Sequence, residues 1–207
     1  MLGPVVRALV AVALAAGLGP ICVDVLQWAA RVVRWPLPDT AATIAGAVLG
    51  VAFVCWRRPN WFIHTWIHEH AHLLAYVVLH LRMPTALQVT DGRGGAVEHV
   101  ETDPVRAVLV QIAPYTVPML LLPALFARHL LVTGPGPWRH VLSAAVAFLV
   151  VHHLQSLYHN VRINVSGDQA DLVKVGRPLS FVLIALAQLL LAAWTIRALW
   201  RGLPSGW

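Results

Sequence analysis

The chain has 207 residues, of which 58% are hydrophobic and 12% charged, with a mean hydropathy of +0.70 and a formal net charge of +6. A soluble domain carries about a quarter charged residues, so half that share, set among long apolar runs, excludes an ordinary water-soluble globule and predicts an all-α, multi-pass integral membrane protein of one domain in contact with the lipid bilayer. The excess charge comes from 14 Arg and one Lys against nine acids; the basic residues gather at segment ends without a stripe of interleaved aromatics, so no nucleic-acid partner is expected.

The first apolar run extends from Pro4 to Val33 and reads as a retained membrane segment with a break near Gly19-Pro20, because its apolar pattern passes any signal-peptide cleavage point. A second run, Thr40 to Trp56, is rich in the small residues that let membrane helices pack closely. These two segments make up residues 1–58. Cys22 and Cys55 fall within them and read as small buried residues rather than a disulfide framework.

Arg57-Arg58-Pro59-Asn60 then introduces a third segment, Trp61 to Leu81. The chain turns polar from Met83 to Pro104, where alternation at Leu87 and Val89 before Asp91-Gly92 predicts a short hairpin or extended loop. A fourth run, Val105 to Leu131, contains Pro114, Pro118 and Pro123, so kinks are expected. After the turn Gly134-Pro135-Gly136-Pro137 come a fifth run, Val141 to Tyr158, a polar stretch, His159 to Arg177, and a last run, Leu179 to Trp200. About six membrane segments are therefore predicted. Trp35, Trp56, Trp138 and Trp200 sit near segment ends as interfacial aromatics do, while Arg is spread too evenly over the loops for the positive-inside rule to choose an orientation.

The third segment carries His68-Glu69-His70-Ala71-His72. Residues four apart share a helix face, so His68 and His72 can present two imidazoles to one zinc ion, and Glu69 beside them is placed to hold and deprotonate a water. The chain has three Glu, and Glu69 alone lies within an apolar run. A carboxylate at membrane depth costs about 3 kcal/mol and marks a functional site by default. A plainer reading makes this a slightly polar helix whose histidines bond to neighbouring carbonyls, but it gives Glu69 no task. His64, one turn earlier on the same face, reads as a wall of the site, and His70 as packing. Asp24 is given no catalytic role.

A catalytic zinc wants three protein ligands and an open position. Asp168 and Asp171 are the only acids after Asp103 and share a face as an i, i+3 pair. Ser166-Gly167-Asp168 resembles a helix start, which makes Asp168 a candidate N-cap and favours Asp171 as the ligand, with Asp168 as the alternative. His152, His153 and His159 are weaker candidates.

At these residues the sequence resembles the site-2 protease-like family of intramembrane zinc metallopeptidases. The resemblance covers roughly Asn60 to Leu199. It rests on His68-Glu69-His70-Ala71-His72, the loop from Gln88 to Val100, the Ala113-Pro114-Tyr115 region and the Asp-containing stretch from Asn164 to Gly176. It implies helices around one zinc ion below the membrane surface and hydrolysis of peptide bonds in or near transmembrane segments of a membrane-protein or peptide substrate. His68 and His72 would be ligands, Glu69 the general base, and Asp171 or Asp168 the third ligand, within a core spanning residues 59–200. The family's glycine before the second ligand histidine is Ala71 here, its Leu-Asp-Gly ending is absent, and no PDZ-type domain is expected. Two other readings compete: a b-type haem electron carrier using pairs among His64, His72, His129 and His152, and a zinc-binding membrane protein without catalysis.

Overall fold

The computed structural model describes residues 3–31, 37–57, 60–81, 83–84, 86–90, 94–98, 103–134, 136–164 and 171–200. They form eight helices and one hairpin in the order α1 (Pro4–Arg31), α2 (Leu37–Trp56), α3 (Trp61–His80), β1 (Ala86–Thr90), β2 (Gly94–Glu98), α4 (Pro104–Thr116), α5 (Leu121–Leu131), α6 (Pro137–Asn164), α7 (Asp171–Val175) and α8 (Arg177–Trp200).

Among the described residues, α1, α2, α6 and α8 are long and apolar enough to cross a membrane, and α4 with α5 adds a fifth if taken as one broken span. The sequence predicts about six segments, and α3 is the difference. It is 20 residues long, but His64, His68, Glu69, His70, His72 and His80 lower its hydropathy. The break predicted near Gly19-Pro20 is not present: α1 runs through Pro20 as one helix, as apolar helices do when the carbonyl left without a donor is satisfied elsewhere. The fourth run, by contrast, is two helices separated at Val117–Leu120, where Pro118 cannot donate a backbone hydrogen bond. Of the cysteines, Cys22 is half-buried but Cys55 is exposed, contrary to the expectation that both are buried.

The chain divides into two compact units. The first comprises Met1–Ala16, Pro59–Met119 and Ser156–Ala185. Its helices start and stop for local reasons. Asn60 caps α3 by accepting the Ile63 N–H at 3.2 Å, and the helix ends where Leu81 takes a left-handed conformation (φ 53°). Asp103 caps α4, accepting from Val105 and Arg106, with Pro104 in the first turn where its missing N–H costs nothing. Two buried clusters hold the unit together: Ala11, Ile112, Val175 and Leu179 in one, and Tyr115, Leu172 and Ile184 in the other. β1 and β2 pair antiparallel, with Leu87 opposite Val97 and Thr90 opposite Gly94, and the hairpin lies beside α3. Residues 91–93 and Val100, within the predicted loop, lie outside the described residues.

The second unit comprises Gly17–Arg58, Leu120–Gln155 and Leu186–Trp207. Leu121, Leu125, Val146, Ala198 and Leu199 form its core. Gly46 and Gly50 bring α2 against α6, where a Cβ at Gly46 would stand 2.0 Å from the Ala144 carbonyl oxygen. Two buried cations are matched: Arg139 Nε lies 2.8 Å from Asp39 Oδ1, and Arg128 donates to Ser143 Oγ and to the Leu199 carbonyl at 3.1 and 2.8 Å.

Candidate metal centre

The first unit brings three side chains to one point. His68 and His72 lie one turn apart on α3, with ring centroids 5.0 Å apart, and Asp171 opens α7. One ligand atom from each residue lies within 4.8 Å of the others. Asp171 Oδ2 is 3.4 Å from His68 Nε2 and 3.5 Å from His72 Nε2. Ligands bound tetrahedrally to zinc at about 2.0 Å stand about 3.3 Å apart. These separations exceed the usual N–H···O hydrogen-bond range of about 2.7–3.2 Å.

The other nitrogen of each ring explains why the Nε2 atoms face inward. His72 Nδ1 lies 2.8 Å from the Val110 carbonyl oxygen, which can only accept, so Nδ1 carries the hydrogen. His68 Nδ1 lies 3.1 Å from Asn160 Oδ1. Asn160 Nδ2 donates to the Pro114 carbonyl at 3.2 Å, which fixes the amide and makes its oxygen the acceptor. With the hydrogen on Nδ1, the neutral form of either ring would turn an Nε2 lone pair toward Asp171. Tethering of the distal ring nitrogen to a carbonyl or amide is what fixes tautomer and orientation in histidine metal sites.

Asp171 is equally constrained. Gln111 Nε2 donates to its Oδ1, the Tyr115 hydroxyl reaches Oδ2 at 3.4 Å, and Lys174 Nζ is 3.8 Å from Oδ1. The short helix under it is fastened at its far end: Arg7 Nη1 donates to the Lys174 and Val175 carbonyls at 3.1 and 2.9 Å, and Ser180 Oγ donates to Leu172 O at 3.1 Å. The Lys174 and Val175 carbonyls, which a five-residue helix leaves open, thereby gain a donor.

Glu69 is buried, 6% exposed, and its carboxylate is within electrostatic reach of His68, His72 and Asp171. His70 turns away: its ring stacks on Trp66 at 3.7 Å and its Nδ1 meets the Trp66 carbonyl oxygen at 2.7 Å. His64 packs edge-on against Trp61 and His159, with Ser156 Oγ 3.4 Å from its Nδ1, and is not in the ligand cluster. In the second unit, His153 Nε2 meets Gln188 Oε1 at 3.0 Å and His152 lies beside Phe53. Asp168 lies outside the described residues. The sequence assigns no site role to Asn160, Gln111 or the Val110 carbonyl, and Tyr115 enters only within the Ala113-Pro114-Tyr115 region. The available signal is that Gln111 and Asn160 are amides in or beside apolar runs, where an unsatisfied polar group is costly.

Comparison with models of protein families, with curated proteins and with solved structures returns no match for this chain.

The donor set suits a divalent metal of intermediate softness. Two imidazole nitrogens and one carboxylate oxygen, with a second carboxylate alongside, form a three-ligand set that leaves a tetrahedral position for water.

Proposed function

We propose that the chain is a multi-pass membrane protein that hydrolyses peptide bonds in or near transmembrane segments of its substrates, as an intramembrane zinc metallopeptidase. The observation carrying this reading is the convergence of His68 Nε2, His72 Nε2 and Asp171 Oδ2, with Glu69 buried next to the first ligand. In this reading α3 is embedded among the spanning helices, which brings the membrane segments to about six. The multi-pass setting is supported by four apolar helices of spanning length and by exposed side chains such as Leu9, Leu26, Ile44 and Leu190 along them.

His68, His72 and Asp171 would hold the ion. When bound, zinc supplies Lewis acidity, which polarises a carbonyl and makes water a nucleophile at neutral pH. Glu69 takes the proton of the attacking water and returns it to the departing amine, a transfer worth about 10²–10⁴ in rate. Tyr115, edge-on to the His68 ring at 5.9 Å, closes the side of the site and steadies Asp171. A helical substrate hides its carbonyls, so the cleaved stretch must be extended, and the β1–β2 hairpin beside α3 is suited to receive it by strand addition.

The deciding experiment is metal analysis of the purified chain alongside a cleavage assay on a reconstituted membrane-peptide library. Wild type should carry one zinc. Glu69→Gln should keep the metal and lose turnover at least a hundredfold, whereas His72→Ala and Asp171→Ala should lose the metal. A Soret band without zinc would replace this reading with the haem alternative, and a Glu69→Gln variant as active as wild type would leave a metal site without catalysis. Cleavage unchanged after proline substitution of Gln88 and Val89 would remove the strand-addition step alone.

A further inference from the structure

Both histidine tethers end at α4 carbonyls that lie four residues before a proline: Val110 before Pro114, and Pro114 before Pro118, which stands just past the end of α4. In an α-helix the carbonyl of residue i accepts from the N–H of residue i+4. The partner of the Val110 carbonyl would be residue 114, which is Pro114, and the next donor in register for the Pro114 carbonyl would be residue 118, which is Pro118. Neither has an N–H to give, and a helical proline ring also crowds the carbonyl four residues back. The two carbonyls so released are the ones that serve the site: Val110 O receives the His72 ring at 2.8 Å, and Pro114 O receives Asn160 Nδ2 at 3.2 Å while Asn160 Oδ1 meets the His68 ring at 3.1 Å.

We infer that Pro114 and Pro118 are positioning residues, which withhold two backbone donors so that the released carbonyls orient the two metal-binding imidazoles. His72 is held directly and His68 through Asn160. A kinked apolar helix needs only one proline, placed anywhere that bends it. The pair here has a spacing of four, which releases carbonyls on one face of α4, and both released carbonyls face histidine anchors. Tethers of this kind change metal affinity by about 10- to 100-fold in histidine sites. The inference rests on the metal-centre reading above but reaches further, because it makes a prediction for the metal-free protein too.

The test uses the full chain in micelles, comparing wild type with Pro114→Ala, Pro118→Ala and Pro123→Ala by zinc titration against a competing chelator and by ¹⁵N spectroscopy of the histidine rings without metal. Pro114→Ala restores the donor for Val110 O. It should weaken zinc binding about 10- to 100-fold and convert His72 from an Nδ1–H ring to a mixture of tautomers. Pro118→Ala should do the same to His68, and stands on its own if Pro114→Ala fails to fold. Pro123→Ala, which replaces the helical proline of α5, should leave affinity within twofold and both tautomers in place. Folded Pro114→Ala and Pro118→Ala proteins with wild-type zinc affinity and unchanged tautomers would overturn the inference. A wild type that binds no zinc, with tautomers that still respond to the proline variants, would overturn the metal reading and leave the anchoring intact.

Discussion

Gln111 and Asp171, sixty positions apart in sequence, share a hydrogen bond that holds one carboxylate oxygen and leaves the other facing two imidazoles. Gln111→Leu keeps the volume close but removes the donor, so the carboxylate can rotate. Zinc affinity should fall about 10- to 100-fold with little change in thermal unfolding. Asp171→Asn should weaken binding further, since it removes the ligand's charge. Chelator competition on the two variants checks both.

The turn between α7 and α8 depends on Gly176, whose φ of +102° is accessible to glycine and strained for other residues. A Cβ there would also stand 3.3 Å from Arg7 Cδ and Nη1, pressing on the side chain that fastens α7. Gly176→Ala should cost about 1–3 kcal/mol in denaturant unfolding and weaken zinc binding as well, because Asp171 rides on the displaced helix.

In the second unit the buried Asp39–Arg139 pair is testable without reference to catalysis. Asp39→Ala strands a buried guanidinium and should destabilise by about 3–5 kcal/mol. Replacing both residues, with Asp39→Ala and Arg139→Leu together, should recover most of the loss. A double-mutant cycle in detergent unfolding measures the coupling.

Gly46 and Gly17 make a matched comparison. A Cβ at Gly46 meets the Ala144 backbone at 2.0 Å, whereas nothing lies within 4 Å of one at Gly17. Gly46→Ala should therefore push α2 from α6 and cost about 2 kcal/mol or more. Gly17→Ala should gain up to about 1 kcal/mol from helix propensity. Unfolding midpoints of the two variants should move in opposite directions.

What could be read from the sequence divides along the range of the interaction. His68 and His72 are legible because i, i+4 spacing is local, and Asp171 stands out because acids are scarce after Asp103. Helix boundaries at Asn60 and Asp103 follow from cap chemistry within three residues. The partners that aim the rings are not legible, since Asn160 lies 92 positions from His68 and Val110 lies 38 from His72. α1 shows the opposite failure: Gly19-Pro20 is a strong local breaker in water, yet the helix continues through it. The stop of α3 at Leu81, by contrast, falls where the sequence places it, with Pro84 three residues beyond.

The contacts that seat Asp171 reach back to Arg7, 168 positions before Val175. Synthesis runs from the amino terminus, so the two histidines leave the ribosome about a hundred residues before their carboxylate. The growing chain thus holds an incomplete ligand set until α7 emerges. The three side chains meet only late in assembly, when α7 docks against Arg7. Under the proposed function, that order keeps the partly made chain inactive.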